Sequence, residues 1–146
     1  MDELDALQSA IGYTFADRSL LVQALTHPSY LGEHKEQSSN QRMEYLGDAV
    51  LELAVSTYLY SRLPAKAEGE LSRIRAAIVS EQPLSVAARE IDLGRYLYLS
   101  QGERAGGGAE KASILSDALE AVFGAIYLDS GFEPACAAVL RLMDAR

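Results

Sequence analysis

Cysteine is almost missing from this 146-residue chain, where Cys136 stands alone. That excludes an intrachain disulfide framework and a cysteine-built zinc site, and a reducing cytoplasm is the expected compartment. Long hydrophobic runs are missing too. The longest, residues 121–128, is far short of a membrane span, so no membrane association is expected. The N-terminal MDELDALQSAI is acidic and mixed, without the basic-then-apolar order of a signal peptide. Positive charge is scarce: 13 Lys+Arg against 21 Asp+Glu leave a net charge of −8. Such a domain attracts a polyanion poorly unless cations or an added basic part supply the attraction.

What is present is an ordinary globular composition, 49% apolar and 23% charged. A chain of about 150 residues buries roughly 70% of its unfolded surface without staples. No strand run, internal repeat or low-complexity segment stands out, and the expectation is one all-α domain over residues 1–146. Helical spacing covers 2–11, then 18–26 with Asp17 as cap, stopped by His27-Pro28. Residues 32–40 read as a loop ending in Asn40, a plausible N-cap. The longest helical pattern runs from 41 to 63, where Pro64 ends it. Its second half is apolar on nearly every side apart from Glu52, the pattern of a buried central helix. Amphipathic helices follow over 67–80 and 81–91, then an apolar segment at 94–100 that is either a short helix or irregular. Residues 101–110, with Gly106, Gly107 and Gly108, read as a loop, and helices over 111–130 and 133–146 close the chain.

Four acids sit inside the two most apolar helices. Glu44 and Asp48 are four residues apart, Asp117 and Glu120 three apart, so each pair shares one helix face. The first stripe continues through Leu51 and Val55, the second through Gly124 to Tyr127 and Leu128, so both extend core-facing stripes. Burying unpaired carboxylates is costly. Protonation, arginine partners (Arg42, Arg73 or Arg75) or a divalent cation would each offset that cost. Gly47 lies between the first pair and Gly124 one turn beyond the second. Without Cβ atoms there, two backbones approach closely enough for all four acids to converge. An all-oxygen cluster without His or Cys suits Mg²⁺ or Mn²⁺ and argues against zinc or redox iron.

The words around these acids are specific. NQRMEYLGDAVL spans 40–51 and SILSDALEAVFGAIYLDSGFE spans 113–133, with IGYTF and LLVQALTHPSY between 11 and 30 and EGELSRIRAAIVS at 68–80. Together they resemble the catalytic domain of bacterial ribonuclease III, over almost the whole chain and in the family's order. The resemblance implies an all-helical domain working as a homodimer, with two active sites along a groove for double-stranded RNA. It implies that Glu44, Asp48, Asp117 and Glu120 bind Mg²⁺, with Mn²⁺ able to substitute, and are catalytic, Glu120 being the most sensitive to neutralisation. Products would carry 5′-phosphate and 3′-hydroxyl ends with two-nucleotide 3′ overhangs, in RNA processing, ribosomal RNA included.

Some positions depart from the family pattern. Gln41 stands where the family often has an acid, and glutamine hydrogen-bonds without ligating as an anion. Glu68 matches another family acid near the scissile region. Tyr45, beside Leu46, stands where a phenylalanine commonly plugs the partner subunit's pocket, so a dimer contact there must accommodate a hydroxyl. The family's C-terminal double-stranded-RNA-binding domain is not in these 146 residues, and RNA affinity is expected to be weak and dependent on the divalent ion.

Lesser signals have plainer readings. His27-Pro28-Ser29-Tyr30 reads as a turn with a satisfied histidine. Arg73 and Arg75, with Lys66, either contact phosphates across an RNA minor groove or pair with acids. The glycine triplet lacks the G-K-[ST] ending and the preceding strand of a nucleotide loop, so a flexible substrate-side loop is expected. A di-iron site fails because neither histidine lies in a Glu-x-x-His pair. A non-catalytic RNA- or ribosome-associated module of the same fold remains the rival, and it has no need of four intact acids.

Overall fold

Asp17 shows how directly some local signals act. Its carboxylate accepts from the Ser19 N–H, and the chain turns into a helix at the next residue. In the computed structural model, which describes residues 3–143, eight α-helices follow one another. They are α1 (Glu3–Ile11), α2 (Arg18–Ala24), α3 (Gln41–Arg62), α4 (Glu68–Ile78), α5 (Glu81–Glu90), α6 (Gln101–Ala105), α7 (Ala112–Ser130) and α8 (Phe132–Met143). Single 3-10 turns occupy Pro28–Gly32, Leu93–Tyr96 and Gly108–Glu110. The all-α reading holds: among the described residues there is no strand, only a bridge between Thr26 and Tyr98. Asp2 and residues 144–146, included in the first and last expected helices, lie outside the described residues. Among the described residues no helix is long and apolar enough to cross a membrane.

α7 is the axis of the fold. From Ala118 through Ile126 every residue is buried, Phe123 being the largest side chain. α2, α3, α5 and α8 all pack on it, the contact with α3 being the most extensive. Burial of each large apolar side chain here contributes about 1.5–3 kcal/mol. The far end of α7 is pinned to the start of the chain. Asp129 accepts from the Tyr13 hydroxyl at 2.5 Å, the Ala16 N–H at 2.8 Å and the Asp17 N–H at 2.9 Å. Those donors, Tyr13 first, hold its carboxyl below the usual range.

Three expectations need correction. α3 is not buried all round. Met43, Val50, Leu51, Ala54, Val55 and Leu59 face the core, while Tyr45 is 84%, Leu53 55% and Tyr60 77% exposed. Apolar composition told how much of the helix avoids water, not which neighbour covers it. Residues 101–110 are not a plain loop, since they hold α6 and the 3-10 turn at Gly108–Glu110. Ser100 caps α6 by accepting from the Glu103 N–H at 3.0 Å, and the Ser-x-x-Glu spacing of Ser100 and Glu103 is the signal for it. Asn40 occupies the N-cap position of α3 but makes no side-chain cap bond. Its buried amide instead donates to the Ala24 carbonyl at 3.0 Å, tying α3 to the end of α2.

Candidate metal centre

Two glycines let the acid-bearing helices meet. A Cβ on Gly47 would collide with the Glu120 carbonyl oxygen, and one on Gly124 with the carbonyl of Met43. α3 and α7 are therefore in backbone contact at the level of the acids, as the pair of glycines predicts.

The convergence follows. Glu44 on α3 and Asp117 and Glu120 on α7 each present a carboxylate oxygen within 4.8 Å of the others. Asp48, one turn after Glu44, shares a hydrogen bond with Glu120, while Glu44 shares one with Asp117. A carboxyl–carboxyl hydrogen bond requires a proton, and the electrostatics say where it sits. Burial, reinforced by the Asp48, Glu44 and Asp117 carboxylates, pushes Glu120 up to about 9. Burial together with Asp117 and Asp48 raises Glu44 to about 7. Among the described residues, the charges bearing on these two groups are carboxylates.

That removes one of the three compensations open at the level of the sequence. Arg75 sits in the groove between α3 and α4, paired with Glu52 at 3.7 Å and donating to the Ser56 hydroxyl at 3.0 Å. Arg73 is exposed on α4, and Arg42 lines a separate hollow. Protons or a dication are what remain to balance the cluster.

Burial of the four acids is graded. Glu120 is buried, Glu44 and Asp117 are half-buried, and Asp48 is exposed. The expectation of wholly core-facing stripes is corrected here. Leu51 and Val55 are buried as expected, but on α7 the stripe emerges at Tyr127 and Leu128, which are exposed. Glu44, Asp48 and Glu120 stand on the wall of an open concavity of about 700 Å³, lined also by Gln41, Tyr45, Leu46 and Ala49. A double-helical or other extended polymer reaches such a site from solvent; a small enclosed ligand has no walls to fill.

Of the remaining sequence candidates, Gln41 shares this concavity. Tyr45 and Leu46 line both it and a second hollow of about 440 Å³ formed with Leu20, Gln23, Arg42, Met43 and Leu128. Glu68 lies elsewhere on the chain, beside Arg75 in the α3–α4 groove, and accepts from the Ser72 hydroxyl at 3.0 Å.

One more side chain lies within electrostatic reach of Asp117. His27 stands close enough to Asp117, Glu103 and Lys111 for their charges to bear on its ring. Lys111 donates to Glu103 at 2.8 Å. The sequence predicts a turn with a satisfied histidine here, and the structure has one: Nδ1 accepts from the Ser29 N–H at 3.1 Å and caps the 3-10 turn that follows.

Comparison with known proteins gives the family and the fold. The family model for ribonuclease-III-like domains matches residues 17–145. The chain belongs to the ribonuclease-III-like family. It is 48% identical to Ribonuclease 3 of Syntrophobacter fumaroxidans over 98% of its own length and 60% of that relative's. It is 46% identical to Ribonuclease 3 of Campylobacter jejuni subsp. doylei, over 99% of the chain and 62% of the relative. This ribonuclease-III-like chain thus spans about three-fifths of the curated relatives it matches. Its fold superposes on the solved nuclease domain of ribonuclease III from Campylobacter jejuni with a TM-score of 0.92 at 45% identity, covering 98% of this chain and 97% of that one. That structure is described as showing flexibility in a region involved in dimer formation.

Proposed function

We propose that residues 1–146 form one catalytic domain, a divalent-metal-dependent endoribonuclease that hydrolyses double-stranded RNA as a homodimer. The observation carrying this reading is the meeting of Glu44, Asp117 and Glu120 within 4.8 Å, with Asp48 bonded to Glu120 and, among the described residues, only carboxylate charges bearing on Glu44 and Glu120. The donor set fits a hard dication: all oxygen, from two helices held in register by glycine contact, open on the solvent side. Glu44, Asp48, Asp117 and Glu120 would hold Mg²⁺, with Mn²⁺ able to replace it. When bound, the ion supplies a nucleophilic water near neutral pH and relief of charge on the phosphoryl group.

The protein's own part is positional. Glu120, buried at the helix contact, is the fixed wall of the cage, and Asp48 at the solvent edge is the side from which RNA enters. Holding a cation would require Glu44 and Glu120, whose carboxyls are raised to about 7 and about 9, to be ionised. Gln41, at the start of α3, faces the same concavity as a neutral hydrogen-bonding group and is suited to a ribose or phosphate oxygen. Arg73 is the exposed cation of α4 available to RNA, whereas Arg75 first has to leave Glu52. The family resemblance assigns 5′-phosphate and 3′-hydroxyl ends with two-nucleotide 3′ overhangs, and an RNA-processing role.

The exposed stripe of Tyr45, Ala49, Leu53 and Tyr60 on α3 supports the twofold partner. It starts at the rim of the acidic concavity, so a second copy of the chain packed there would bring two centres to one surface. The Tyr45 hydroxyl keeps a polar end on that apolar face.

Incubating the protein with a long RNA duplex and Mg²⁺, then mapping the ends, tests the reading. Short duplexes with two-nucleotide 3′ overhangs and 5′-phosphates are expected. An intact duplex, under conditions where Mn²⁺ also fails to raise the melting temperature, leaves the scaffold reading in place.

A further inference from the structure

We propose that Gln41 is a specificity-determining residue of the centre, its amide hydrogen-bonding a ribose 2′-hydroxyl beside the scissile phosphate, so that the site tells an RNA strand from a DNA strand. The inference rests on the nuclease reading above and deepens it, naming the group of the substrate that Gln41 reads.

Placement comes first. Gln41 is the first residue of α3 and lines the same concavity as Glu44, Asp48 and Glu120. Positions 41, 44 and 48 fall on one face of the helix, with Gln41 about 4.5 Å before Glu44 along the axis. The residue ahead of it is fixed. Asn40 is buried, its side-chain amide donating to the Ala24 carbonyl at 3.0 Å and its backbone N–H to the Thr26 carbonyl at 2.9 Å. Gln41 is thus an exposed side chain on an anchored base. Among the described residues its amide has no hydrogen-bond partner. Gln8 and Gln23, by contrast, use theirs on the Phe15 N–H and the Ser39 carbonyl.

Chemistry then narrows the ligand. The side chains lining the concavity are three carboxyls, two aliphatic groups, the Tyr45 phenol and the Gln41 amide, so the amide is the one nitrogen donor among them. Arg42, next in sequence, lines the separate hollow with Leu20 and Leu128. A cation at position 41 would pair with Glu44 one turn on and draw charge from the cage, and an acid would repel the phosphate. An amide does neither. Phosphate oxygens only accept hydrogen bonds, and a cation serves them better than an amide. A hydroxyl both donates and accepts, and so does a carboxamide, through its oxygen and its NH₂ group. The 2′-hydroxyl is the matching group. An A-form duplex displays it along a wide, shallow minor groove, which an open concavity admits, and DNA lacks it.

A set of synthetic duplexes tests the pairing. One all-ribose duplex that the chain cleaves in Mg²⁺ is remade with a single 2′-deoxy nucleotide moved one position at a time across the cut. For the wild type, one position is expected to cost about five- to tenfold in kcat/KM. Q41A should lose a similar factor on the all-ribose duplex, and the deoxy nucleotide at that position should then cost nothing further, since both changes remove the same bond. The Mn²⁺ midpoint for thermal stabilisation and the metal-free melting temperature should match the wild type, because Gln41 is exposed and holds no metal. Wild-type kcat/KM in Q41A overturns the inference, as does an undiminished deoxy penalty in that variant. A shifted Mn²⁺ midpoint overturns it too, by making Gln41 part of the cage. Each of these outcomes leaves the nuclease reading intact. Absence of both Mn²⁺ stabilisation and cleavage in the wild-type chain overturns that reading first, and this inference with it.

Discussion

Gly47 and Gly124 provide each other's clearance. A Cβ on either would stand 3.0 Å from the backbone nitrogen of the other, and each would also strike a carbonyl oxygen of the opposite helix. The distance between α3 and α7, and with it the size of the acidic cage, is therefore set by two absent methyl groups.

Gly47→Ala tests that relation. In an open helix the change gains about 0.5–1 kcal/mol from propensity. Here the methyl group meets backbone that has nowhere to go, so a net loss of about 1–3 kcal/mol is expected in urea unfolding. The Mn²⁺ midpoint should weaken in parallel as the acids separate. Gly102→Ala on α6, where a Cβ meets nothing within 4 Å, serves as the control and should be neutral or slightly stabilising.

Neutralising Glu120 should move stability and activity in opposite directions. The buried carboxylate is costly to ionise beside three other acids, so Glu120→Gln is expected to raise the metal-free melting temperature at pH 8. It removes the innermost ligand at the same time. Thermal stabilisation by Mn²⁺ should largely disappear, and duplex cleavage should fall by about two orders of magnitude or more. Wild-type cleavage by this variant in Mg²⁺ would contradict the ligand assignment.

The same two carboxyls make stability depend on pH. Glu44 and Glu120 bind their protons more tightly in the folded chain, at about 7 and about 9 against an ordinary 4.5. The folded state therefore holds more protons than the unfolded state above pH 4.5. Their contribution is fullest below that value and is lost as pH rises through 7 and 9. Metal-free melting temperature should decline from pH 5 to pH 9, and saturating Mg²⁺ should flatten the decline by replacing the protons. A profile that is flat without metal would show that the acids do not share a site.

Leu53→Asp addresses the partner. Leu53 is 55% exposed on the same stripe as Tyr45, and it is eight residues away from the acidic rim. Light scattering at micromolar concentration should give a dimer for the wild type and a monomer for the variant, with the metal-free fold retained by circular dichroism. A monomeric wild type would contradict the homodimer.

Local chemistry made much of this readable in advance. Asp17 caps α2 because its carboxylate reaches its own backbone two residues on, and the His27-Pro28 stop needs nothing beyond the proline ring. Spacing placed Glu44 with Asp48 and Asp117 with Glu120 because a helix repeats every 3.6 residues whatever surrounds it. Residues 101–110 went the other way. Their glycines suggested a loop, and the Ser100–Glu103 cap outweighed them over one helical turn.

By itself, then, the sequence determined the helices other than α6, the two acid pairs and the glycines beside them, since each depends on neighbours a few residues away. Tertiary structure alone decided that Glu44 meets Asp117 and Asp48 meets Glu120, that Arg75 goes to Glu52 instead, and that one face of α3 stays exposed. Those outcomes depend on how α3 crosses α7 and on which cations come within reach. They are distances between segments that lie from about twenty to about seventy residues apart in the chain, about which the periodicity of either segment carries no information.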